Sequence, residues 1–356
     1  MTKTLLGLLY GGRSVEHDIS LLSAKNILHN IDKALYDISL IGIDKSGKWF
    51  LCNDISEPIA NGEPLSLVLD ANKHDFFTSN QRLKMDVIFP ILHGTDGEDG
   101  TVQGLFQSMG IAYVGSGVLG SAASMDKLLA KRVLLSAGLP VTPFLAINHH
   151  DENRKSYSNI VDELGLPLIV KPANLGSSVG VTKVENEDDF ESAIALAFTY
   201  DDSVLVEKFI KGREVECAIL GNERPIVSMA GEVKLSPNYD FYSFQAKYSD
   251  PDSAEIIIPA NMPVAIHDKI KSLSLEAFKL LNCHDLARVD LFVTEDNTVY
   301  INEINTLPGF TNISMYPALM QHEGIAYKEL MTKLIEMALK RHQERSRIST
   351  SYESKL

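Results

Sequence analysis

Cysteine, tryptophan and basic residues are scarce in this chain of 356 residues. Its three cysteines, Cys52, Cys217 and Cys283, lie far apart and form no C-x-x-C pair. This spacing indicates neither a disulfide framework nor a zinc site, and it is typical of a protein in a reducing cytoplasm. Lysine and arginine number 33 against 47 acidic residues, which gives a net charge of −14. Such a chain lacks the basic footprint that nucleic-acid or anionic-membrane partners require, and a phosphate site in it would have to be locally basic.

Long apolar runs are also absent. The N-terminal MTKTLLGLLYGG has an apolar run too short for a signal peptide, and it reads as a first β-strand. No stretch approaches the ~18 apolar residues of a membrane span. With 45% hydrophobic and 22% charged residues, the composition is that of a soluble globular protein. We therefore expect a cytoplasmic protein with two or three domains.

Strand and helix patterns alternate through the first 120 residues. Strands are predicted at 4–10, 37–44, 87–94 and 111–115, and helices at 20–30 and 101–110, while 53–84 shows no clear pattern. This order predicts an open α/β sheet with ligand-binding groups on the loops after its strands. A helix over 125–137, ended by Gly138 and Pro140, is predicted to join two domains.

The remainder of the chain mixes helices with strands that read as antiparallel. Helices are predicted near 156–164, 187–199, 263–282 and 325–342, and a polar loop spans about 236–254. The part after about residue 212, in which helices and antiparallel strands are mixed, is therefore predicted to be α+β.

A lysine at the end of an apolar run precedes glycines and serines in LIVKPANLGSSVGV, residues 168–181. Lys171 ends the run, and Gly176, Ser177 and Ser178 follow a turn. Uncovered backbone N–H groups, serine donors and a lysine charge together favour a bound polyanion such as a phosphate. The order differs from a P-loop, in which the lysine follows the glycines.

A second glycine motif, GSGVLG at 115–120, matches G-x-G-x-x-G after an apolar strand. Alone it would indicate a dinucleotide-binding oxidoreductase. The acidic residue expected about 20 positions further on is missing, because that stretch reads LSAGLP. We interpret the motif as a tight glycine turn that leads to the joining helix.

Four polar residues share a predicted hairpin within ARVDLFVTEDNTVYINEINTLPGF, residues 287–310. Arg288 and Asp290 are two apart on one strand, and Glu303 and Asn305 are two apart on the other, so each pair shares a face. Apolar residues that fit a buried sheet lie between them: Leu291, Val293, Val299 and Ile301. Two carboxylates and an amide oxygen suit Mg²⁺ or Mn²⁺ bound to nucleotide phosphates. Ordinary surface ion pairs are the alternative.

Taken together, these motifs resemble those of the D-alanine–D-alanine ligase family of ATP-grasp enzymes. The resemblance rests on KPANLGSSVG, VEKFIKGREVECAIL and RVD…NEINTLPGFT, with GGRSVEHDIS, HGTDGEDGTVQG, SMDKLLAK and AKYSD, and runs from about residue 4 to 340. It implies an ATP-grasp fold preceded by an open α/β domain. The implied parts are an N-terminal domain at 1–122, a central lobe at 123–212, a C-terminal lobe at 213–345 and a polar tail at 346–356.

The resemblance assigns an ATP site and a metal site. It implies that one set of residues binds ATP: Lys131, Lys171, Ser177, Ser178, Glu207, Lys208, Phe209, Ile210, Glu214 and Lys247. Among these, Lys131 and Lys171 would carry positive charge to the phosphates, residues 207–210 would line the adenine and Glu214 would bind the ribose. Asp290, Glu303 and Asn305 would hold two Mg²⁺ or Mn²⁺ ions, with Glu303 between them.

The implied reaction joins two D-alanine molecules for peptidoglycan precursor synthesis, through an acyl phosphate, with release of ADP and phosphate. The substrate and catalytic residues that it implies are Glu16, His93, Ser177, Tyr248, Arg288, Gly309, Ser314 and Met315. Glu16 would hold the first ammonium and Ser314 the second carboxylate. Arg288 and the Gly309 N–H would stabilise the oxyanion. The family is commonly dimeric, which predicts a homodimer.

The second substrate is open to alternatives. Tyr248 in AKYSD favours D-alanine over D-lactate, and Met315 stands where leucine is common in the family, which leaves D-serine open. Biotin carboxylase-like and purine-synthesis ATP-grasp enzymes share the ATP half, but we expect them to lack GGRSVEHDIS and AKYSD. A non-catalytic nucleotide-binding protein would need a defective site, whereas every expected metal and phosphate position is filled here.

Overall fold

Three adjacent apolar strands form the centre of the first sheet in the computed structural model, which describes residues 2–70, 75–151, 154–236 and 254–349. The strands of this part are β1 Thr4–Gly11, β2 Tyr36–Ile43, β3 Trp49–Cys52, β4 Glu63–Pro64, β5 Ser66–Leu67, β6 Asp75–Phe77, β7 Arg82–Lys84, β8 Val87–Pro90 and β9 Ala112–Tyr113. Six of them form a sheet in the order β4-β3-β2-β1-β8-β9, with β1 parallel to β2 and β8. Strands β5, β6 and β7 form a separate small sheet. The predicted α/β organisation is therefore present.

Two helices and one turn complete this part: α1 His17–Asn30, α2 Thr101–Met109 and a 3-10 turn at Ile59–Asn61. Helix α1 begins three residues before the predicted position and packs against β1. The loop between β1 and α1 carries Glu16, and the loop after β8 carries His93. Because β1 and β8 are parallel neighbours, these two loops leave the same edge of the sheet.

The joining segment contains two helices, α3 Val118–Met125 and α4 Lys127–Ser136, rather than the single helix predicted over 125–137. The break occurs at Asp126, whose carboxylate accepts a hydrogen bond of 2.9 Å from the N–H of Leu129 and so caps α4. Helix α3 starts inside the GSGVLG motif. The motif is therefore part turn and part helix.

An antiparallel four-stranded sheet follows, with strand order β10-β13-β11-β12. Its elements are β10 Phe144–Asn148, α5 Tyr157–Leu164, β11 Leu168–Pro172, β12 Thr182–Val184, α6 Glu187–Ala197 and β13 Ser203–Lys208. Apolar residues of α5 and α6 pack on its strands in a core of its own. This sheet carries Lys171 at the end of β11 and Glu207 on β13.

The third sheet has the order β17-β16-β14-β18-β19, and β15 pairs with β14. The elements of this part are β14 Arg213–Leu220, β15 Ile226–Val227, β16 Gly231–Leu235, β17 Ala254–Ile257, α7 Val264–Leu280, β18 Leu286–Val293, β19 Val299–Asn305, α8 Met315–His322 and α9 Tyr327–Arg345. Helix α8 was not predicted. The three large sheets fall within the three predicted domain ranges, whose exact boundaries stay a prediction.

One hydrophobic core joins the first sheet to the C-terminal helices. It contains Leu6, Leu8 and Phe89 of the first sheet together with residues of α8 and α9 such as Tyr316 and Leu334. The side chain of Phe89 packs edge-on against Phe310, with ring centroids 5.9 Å apart. The N-terminal domain thus shares its interior with the last helices of the chain. Within the described residues, no helix is long and apolar enough to cross a membrane.

A buried ion pair connects the GSGVLG loop to α9. Asp285, with 0% side-chain exposure, accepts hydrogen bonds from the Gly115 N–H at 3.0 Å, from Asn222 at 2.9 Å and from Arg341 at 3.0 Å. Arg341 also donates to the carbonyls of Tyr113 and Gly115, each at 2.7 Å. The pair therefore holds the last helix to the edge of the first sheet.

We expect Arg341→Met to lower the free energy of unfolding by about 3 kcal/mol, because it leaves the buried Asp285 carboxylate without its cation. Urea unfolding would measure the loss. The control is Lys340→Met on the same helix, which breaks an exposed ion pair with Glu223 and should change the stability little. Equal effects of the two substitutions would contradict the role given to Arg341.

Candidate active site

Glu207 lies between two lysines in the cleft between the second and third sheets. Its carboxylate is 2.9 Å from Lys131 Nζ and 2.8 Å from Lys171 Nζ, and none of the three side chains is more than 7% exposed. Burial favours a raised pKa for Glu207, but the charges of Lys131 and Lys171 outweigh it and lower the pKa. Glu207 is therefore ionised, and with both lysines protonated the group carries one net positive charge.

The ammonium group of Lys131 is fully buried. Burial, opposed by Glu207 and reinforced by the charge of Lys171, lowers the pKa of Lys131 to about 8. Lys131 also donates a hydrogen bond to the Thr142 hydroxyl. Lys171 donates to the Asn302 side-chain oxygen at 3.1 Å.

The shifted pKa of Lys131 predicts a pH-dependent stability. Between about pH 8 and 10.5, the unfolded chain binds more protons at Lys131 than the folded protein does, so the free energy of unfolding rises with pH. We expect Lys131→Met to remove this rise. Urea unfolding of both proteins below pH 8 and near pH 10 would measure it, and an identical pH dependence in the two would contradict the assignment.

A cavity of about 620 Å³ occupies this cleft, a size suited to a small ligand or cofactor. Its lining includes most of the predicted ATP-binding residues: Lys171, Ser177, Ser178, Glu207, Lys208, Phe209, Ile210 and Glu214. Lys131 is not among the described lining residues, since it is buried beside Glu207. Seven described lining residues are lysine or arginine against six acidic ones, whereas the whole chain has 33 against 47. The cleft is therefore locally basic, as a phosphate site in this acidic chain requires.

The glycine–serine loop after β11 closes against the first domain. Ser177 and Ser178 have φ angles of 52° and 56°, in the left-handed region that residues other than glycine rarely adopt. Such strained backbone is concentrated at ligand-binding segments. The Ser177 hydroxyl donates to the Glu16 carboxylate, and a Cβ at Gly176 would lie 2.8 Å from Glu16 Oε2. A side chain at this position would have to displace the Glu16 carboxylate.

Arg288 joins two acidic residues on neighbouring strands. Its guanidinium donates to both oxygens of Asp290 at 2.7 Å and lies 2.8 Å from Glu216 on β14. Burial favours a lowered pKa for Arg288, but Asp290 and Glu216 outweigh it and raise the pKa. The guanidinium is therefore a fixed positive charge.

A β-bulge brings Asn302 and Glu303 to the cleft. Asp290 pairs with Glu303 but Leu291 pairs with Ile301, so that Asn302 is an extra residue on β19. Simple alternation would place Glu303 on the same face as Val299 and Ile301, which are fully buried. The bulge shifts the alternation by one residue, and both Asn302 and Glu303 line the cavity.

The predicted metal ligands lie on these two strands in direct register. Asp290 pairs with Glu303, and Arg288 with Asn305, whose amide nitrogen donates to Asp290 Oδ2 at 3.0 Å. The donors are hard oxygens and fit Mg²⁺ or Mn²⁺. Within the described residues, no group of three or more acidic, histidine or cysteine side chains could hold a metal by itself. A cation here would need further oxygens, from the Asn305 amide, phosphate or water.

A second cavity of about 430 Å³ joins the first. Residues common to both linings mark the junction: Lys127, Gly176, Ser177, Glu216, Val233 and Glu303. The predicted substrate residues Glu16, His93, Arg288, Gly309, Ser314 and Met315 line this second cavity. The two predicted groups of site residues are therefore adjacent, with the glycine–serine loop and Glu303 between them.

His93 is buried and held on both ring nitrogens. Nδ1 is 3.2 Å from the Leu307 carbonyl and 3.6 Å from Glu98 Oε1, and Nε2 is 3.0 Å from Ser23 Oγ. Burial favours a lowered pKa for His93, but the hydrogen bond and charge of Glu98, with the charge of Glu16, outweigh it and raise the pKa. His93 is thus set beside Glu16 in the smaller cavity.

Ser314 immediately precedes α8, and its hydroxyl is bound locally. It accepts a hydrogen bond from the Thr311 N–H at 3.0 Å and lies 2.8 Å from the Thr311 hydroxyl. A Cβ at Gly309 would lie 2.8 Å from Ser314 Oγ, so a side chain there would displace the serine. Met315 is 5% exposed and closes one wall of the cavity.

Lys127, Asn302, Glu216 and Glu98 were not predicted as site residues. Lys127 Nζ donates to the Leu175 carbonyl at 2.7 Å and lies 3.6 Å from Glu303. Its position four residues before Lys131, on the same face of α4, was the available sequence signal. The predicted residues Lys247 and Tyr248 lie outside the described residues.

Comparisons with known proteins identify the family to which the chain is similar. The family model "D-ala D-ala ligase N-terminus" matches residues 5–116, and "D-ala D-ala ligase C-terminus" matches 133–336. D-alanine–D-alanine ligase A of Salmonella typhimurium is 46% identical over 99% of this chain and 100% of its own length. The D-alanine–D-alanine ligase of Oceanobacillus iheyensis is 49% identical over 98% of this chain and 99% of its own.

Solved structures extend the likeness to three dimensions. The D-alanine–D-alanine ligase of Coxiella burnetii superposes with a TM-score of 0.87 at 38% identity, covering 98% of this chain and 97% of that one. VanG D-Ala:D-Ser ligase of Enterococcus faecalis superposes with a TM-score of 0.85 at 34% identity, covering 95% of this chain and 100% of that one. The fold is therefore that of the ATP-grasp ligases, which confirms the predicted class. The chain belongs to the D-alanine–D-alanine ligase family.

Proposed function

We propose that the protein joins two D-alanine molecules into D-alanyl-D-alanine for peptidoglycan precursor synthesis, with conversion of ATP to ADP and phosphate. The observation that carries this proposal is the junction of the two cavities. A locally basic cleft opens into a smaller chamber lined by Glu16, Arg288 and Ser314. A phosphoryl group bound in the first can therefore meet a carboxylate bound in the second.

ATP would occupy the larger cavity. Residues 207–210 would line the adenine, Glu214 would bind the ribose hydroxyls, and Lys171 would contact the phosphates with Ser177 and Ser178. Lys131 would act through Glu207, whose position it holds, rather than through direct contact. Asp290, Glu303 and Asn305 would hold two Mg²⁺ or Mn²⁺ ions, which would neutralise phosphate charge.

In the first step, a carboxylate oxygen of the first D-alanine attacks the γ-phosphorus. The bond from that phosphorus to the bridging oxygen of ADP breaks, and ADP leaves with the electron pair. Glu16 would bind the ammonium of this substrate, with His93 beside it. The result is an acyl phosphate, which has the leaving group that a free carboxylate lacks.

In the second step, the amine of the second D-alanine attacks the acyl carbon after losing a proton. The bond from carbon to the phosphate oxygen then breaks, and phosphate leaves. Arg288 and the Gly309 N–H would stabilise the negative oxygen that forms on the way. Ser314 would bind the second carboxylate.

The second substrate is the least constrained part of this proposal. Met315 closes the chamber with an apolar side chain similar in volume to leucine, which favours D-alanine. D-Serine has to be tested, because VanG, 34% identical to this chain, is a D-Ala:D-Ser ligase. A homodimer in the cytoplasm is part of the same proposal, and sedimentation would test the oligomeric state.

The test is ADP release with ATP, Mg²⁺ and D-alanine, with products identified by mass. Parallel reactions would contain L-alanine, D-alanine with D-lactate, or D-alanine with D-serine. We expect ADP and the D-alanine dipeptide in equal amounts, and no turnover with L-alanine. If ADP is formed only with another acid, the protein is still an ATP-dependent ligase, but D-alanine is not its substrate.

A further inference from the structure

Helix α1 presents three buried or partly buried polar residues toward the loops of the site. Ser20, Ser23 and Asn26 are three residues apart and therefore lie on one face of the helix. Ser20 binds the ends of β1 and β8, through the Gly11 N–H and the Ile91 carbonyl. Ser23 and Asn26 instead reach the loop over 307–310, which belongs to the C-terminal lobe.

Ser23 completes a cycle of hydrogen bonds that starts and ends on this loop. The Leu307 carbonyl can only accept, so His93 Nδ1, 3.2 Å away, carries the proton. In the neutral form of the ring, Nε2 is then the acceptor and the Ser23 hydroxyl, 3.0 Å away, is the donor. Ser23 Oγ in turn accepts from the Phe310 N–H at 3.3 Å. With 0% exposure, Ser23 makes these bonds without competition from solvent.

Asn26 holds the other side of Phe310. Its side-chain nitrogen donates to the Phe310 carbonyl at 2.7 Å. The orientation of the Asn26 amide is set by Asn30, whose side-chain nitrogen donates to Asn26 Oδ1 at 3.1 Å. Tyr327 donates to the same Phe310 carbonyl at 2.7 Å. The peptide groups on both sides of Phe310 are thus anchored.

These contacts flank the peptide that contains the Gly309 N–H. The 307–308 peptide is held through the Leu307 carbonyl, and the 309–310 peptide is held through the Phe310 N–H. Peptide groups are planar, so with both neighbours held the 308–309 peptide can turn only by a concerted rotation of the ψ angle of Pro308 and the φ angle of Gly309. A side chain at Gly309 would collide with Ser314, so the loop has little room to adjust.

We propose that Ser23 and Asn26 are positioning residues that aim the Gly309 N–H at the reacting carbonyl. This assignment rests on the proposed function, in which that N–H stabilises the oxyanion. Neither side chain needs to touch the reacting atoms. Loss of either residue should lower the rate of the reaction and not the affinity for ATP. A misdirected donor weakens the stabilisation of the oxyanion in the transition state and leaves ATP binding intact.

The experiment compares Ser23→Ala, Asn26→Asp and Ser274→Ala with the wild type. Asn26→Asp keeps the shape of the side chain but replaces the donor with an acceptor that repels the Phe310 carbonyl. Ser274, on α7, is also 0% exposed and is not a described lining residue of the two cavities, so Ser274→Ala controls for the loss of a buried hydroxyl. The kcat for dipeptide formation and the KM for ATP would be measured for each, with urea unfolding to confirm folding.

We expect kcat to fall by about tenfold or more in Ser23→Ala and Asn26→Asp, with KM for ATP within about twofold of wild type and Ser274→Ala unaffected. A normal kcat in Asn26→Asp, or a KM for ATP that rises in step with the loss of kcat, would overturn the assignment. If the wild type itself forms no dipeptide, the proposed function is overturned, and this assignment with it. An active wild type with active variants would overturn this assignment alone.

Discussion

Glu303→Gln is expected to remove ATP turnover while the protein keeps its fold. The substitution keeps the size of the side chain but removes the negative charge between the two cavities, where the metal ions would be held. Metal stabilisation of charge at the reacting centre contributes several kcal/mol, so the rate should fall by at least about a thousandfold. ADP release at saturating ATP and Mg²⁺ would measure it.

The matched control for Glu303→Gln is Glu295→Gln. Glu295 lies in the exposed turn of the same hairpin, between β18 and β19, and should tolerate the same chemical change without loss of rate. Turnover close to wild type in Glu303→Gln would remove the metal role given to this carboxylate. An equal loss in the two variants would show that the hairpin is sensitive to any change.

Arg288→Met is expected to damage both catalysis and stability. It removes the cation between Asp290 and Glu216 and leaves two facing carboxylates, at a cost of about 3 to 5 kcal/mol in the free energy of unfolding. It also removes one of the two proposed oxyanion donors, so kcat should fall by about a hundredfold or more. Urea unfolding and dipeptide formation would measure the two effects.

Arg288→Lys separates these effects. Lysine keeps the positive charge between the carboxylates but cannot reproduce the two parallel hydrogen bonds to Asp290. We therefore expect it to recover part of the stability lost in Arg288→Met while kcat stays low. Recovery of full activity in Arg288→Lys would show that charge alone is needed and that the directed guanidinium is not.

The sequence predicted the N-terminal sheet well because its central strands are continuous apolar runs. The stretch 53–84 was not predicted, since strands such as Ser66–Leu67 and Arg82–Lys84 are too short to show a period. Helix α8 was missed for a different reason. It is a short helix with proline at its third position, so its sequence gives a weak helical pattern. Its apolar residues pack in the core shared with the first sheet, which the sequence alone does not show.

The motifs in the sequence grouped the predicted site residues, but they did not show the ion pairs and the β-bulge that position them. The alternation of apolar and polar residues along β19 cannot reveal the bulge at Asn302. A bulge changes which face of the sheet the later side chains occupy, but it needs no particular residue type. Glu207 was predicted only as one of the residues that line the adenine. Its carboxylate also joins Lys131 and Lys171, which are distant in sequence and meet only in the folded chain. Such long-range ion pairs leave no local pattern.

The core shared by the first sheet and α8 and α9 constrains how the protein is made. During synthesis the first sheet leaves the ribosome early, but its apolar surface stays uncovered until residues 315–338 have followed. A chain stopped before α8 would keep the lysines and carboxylates of the larger cavity and still lack the residues that cover the core of its first domain. The first domain therefore cannot complete its core from its own residues and depends on the synthesis of residues 315–338.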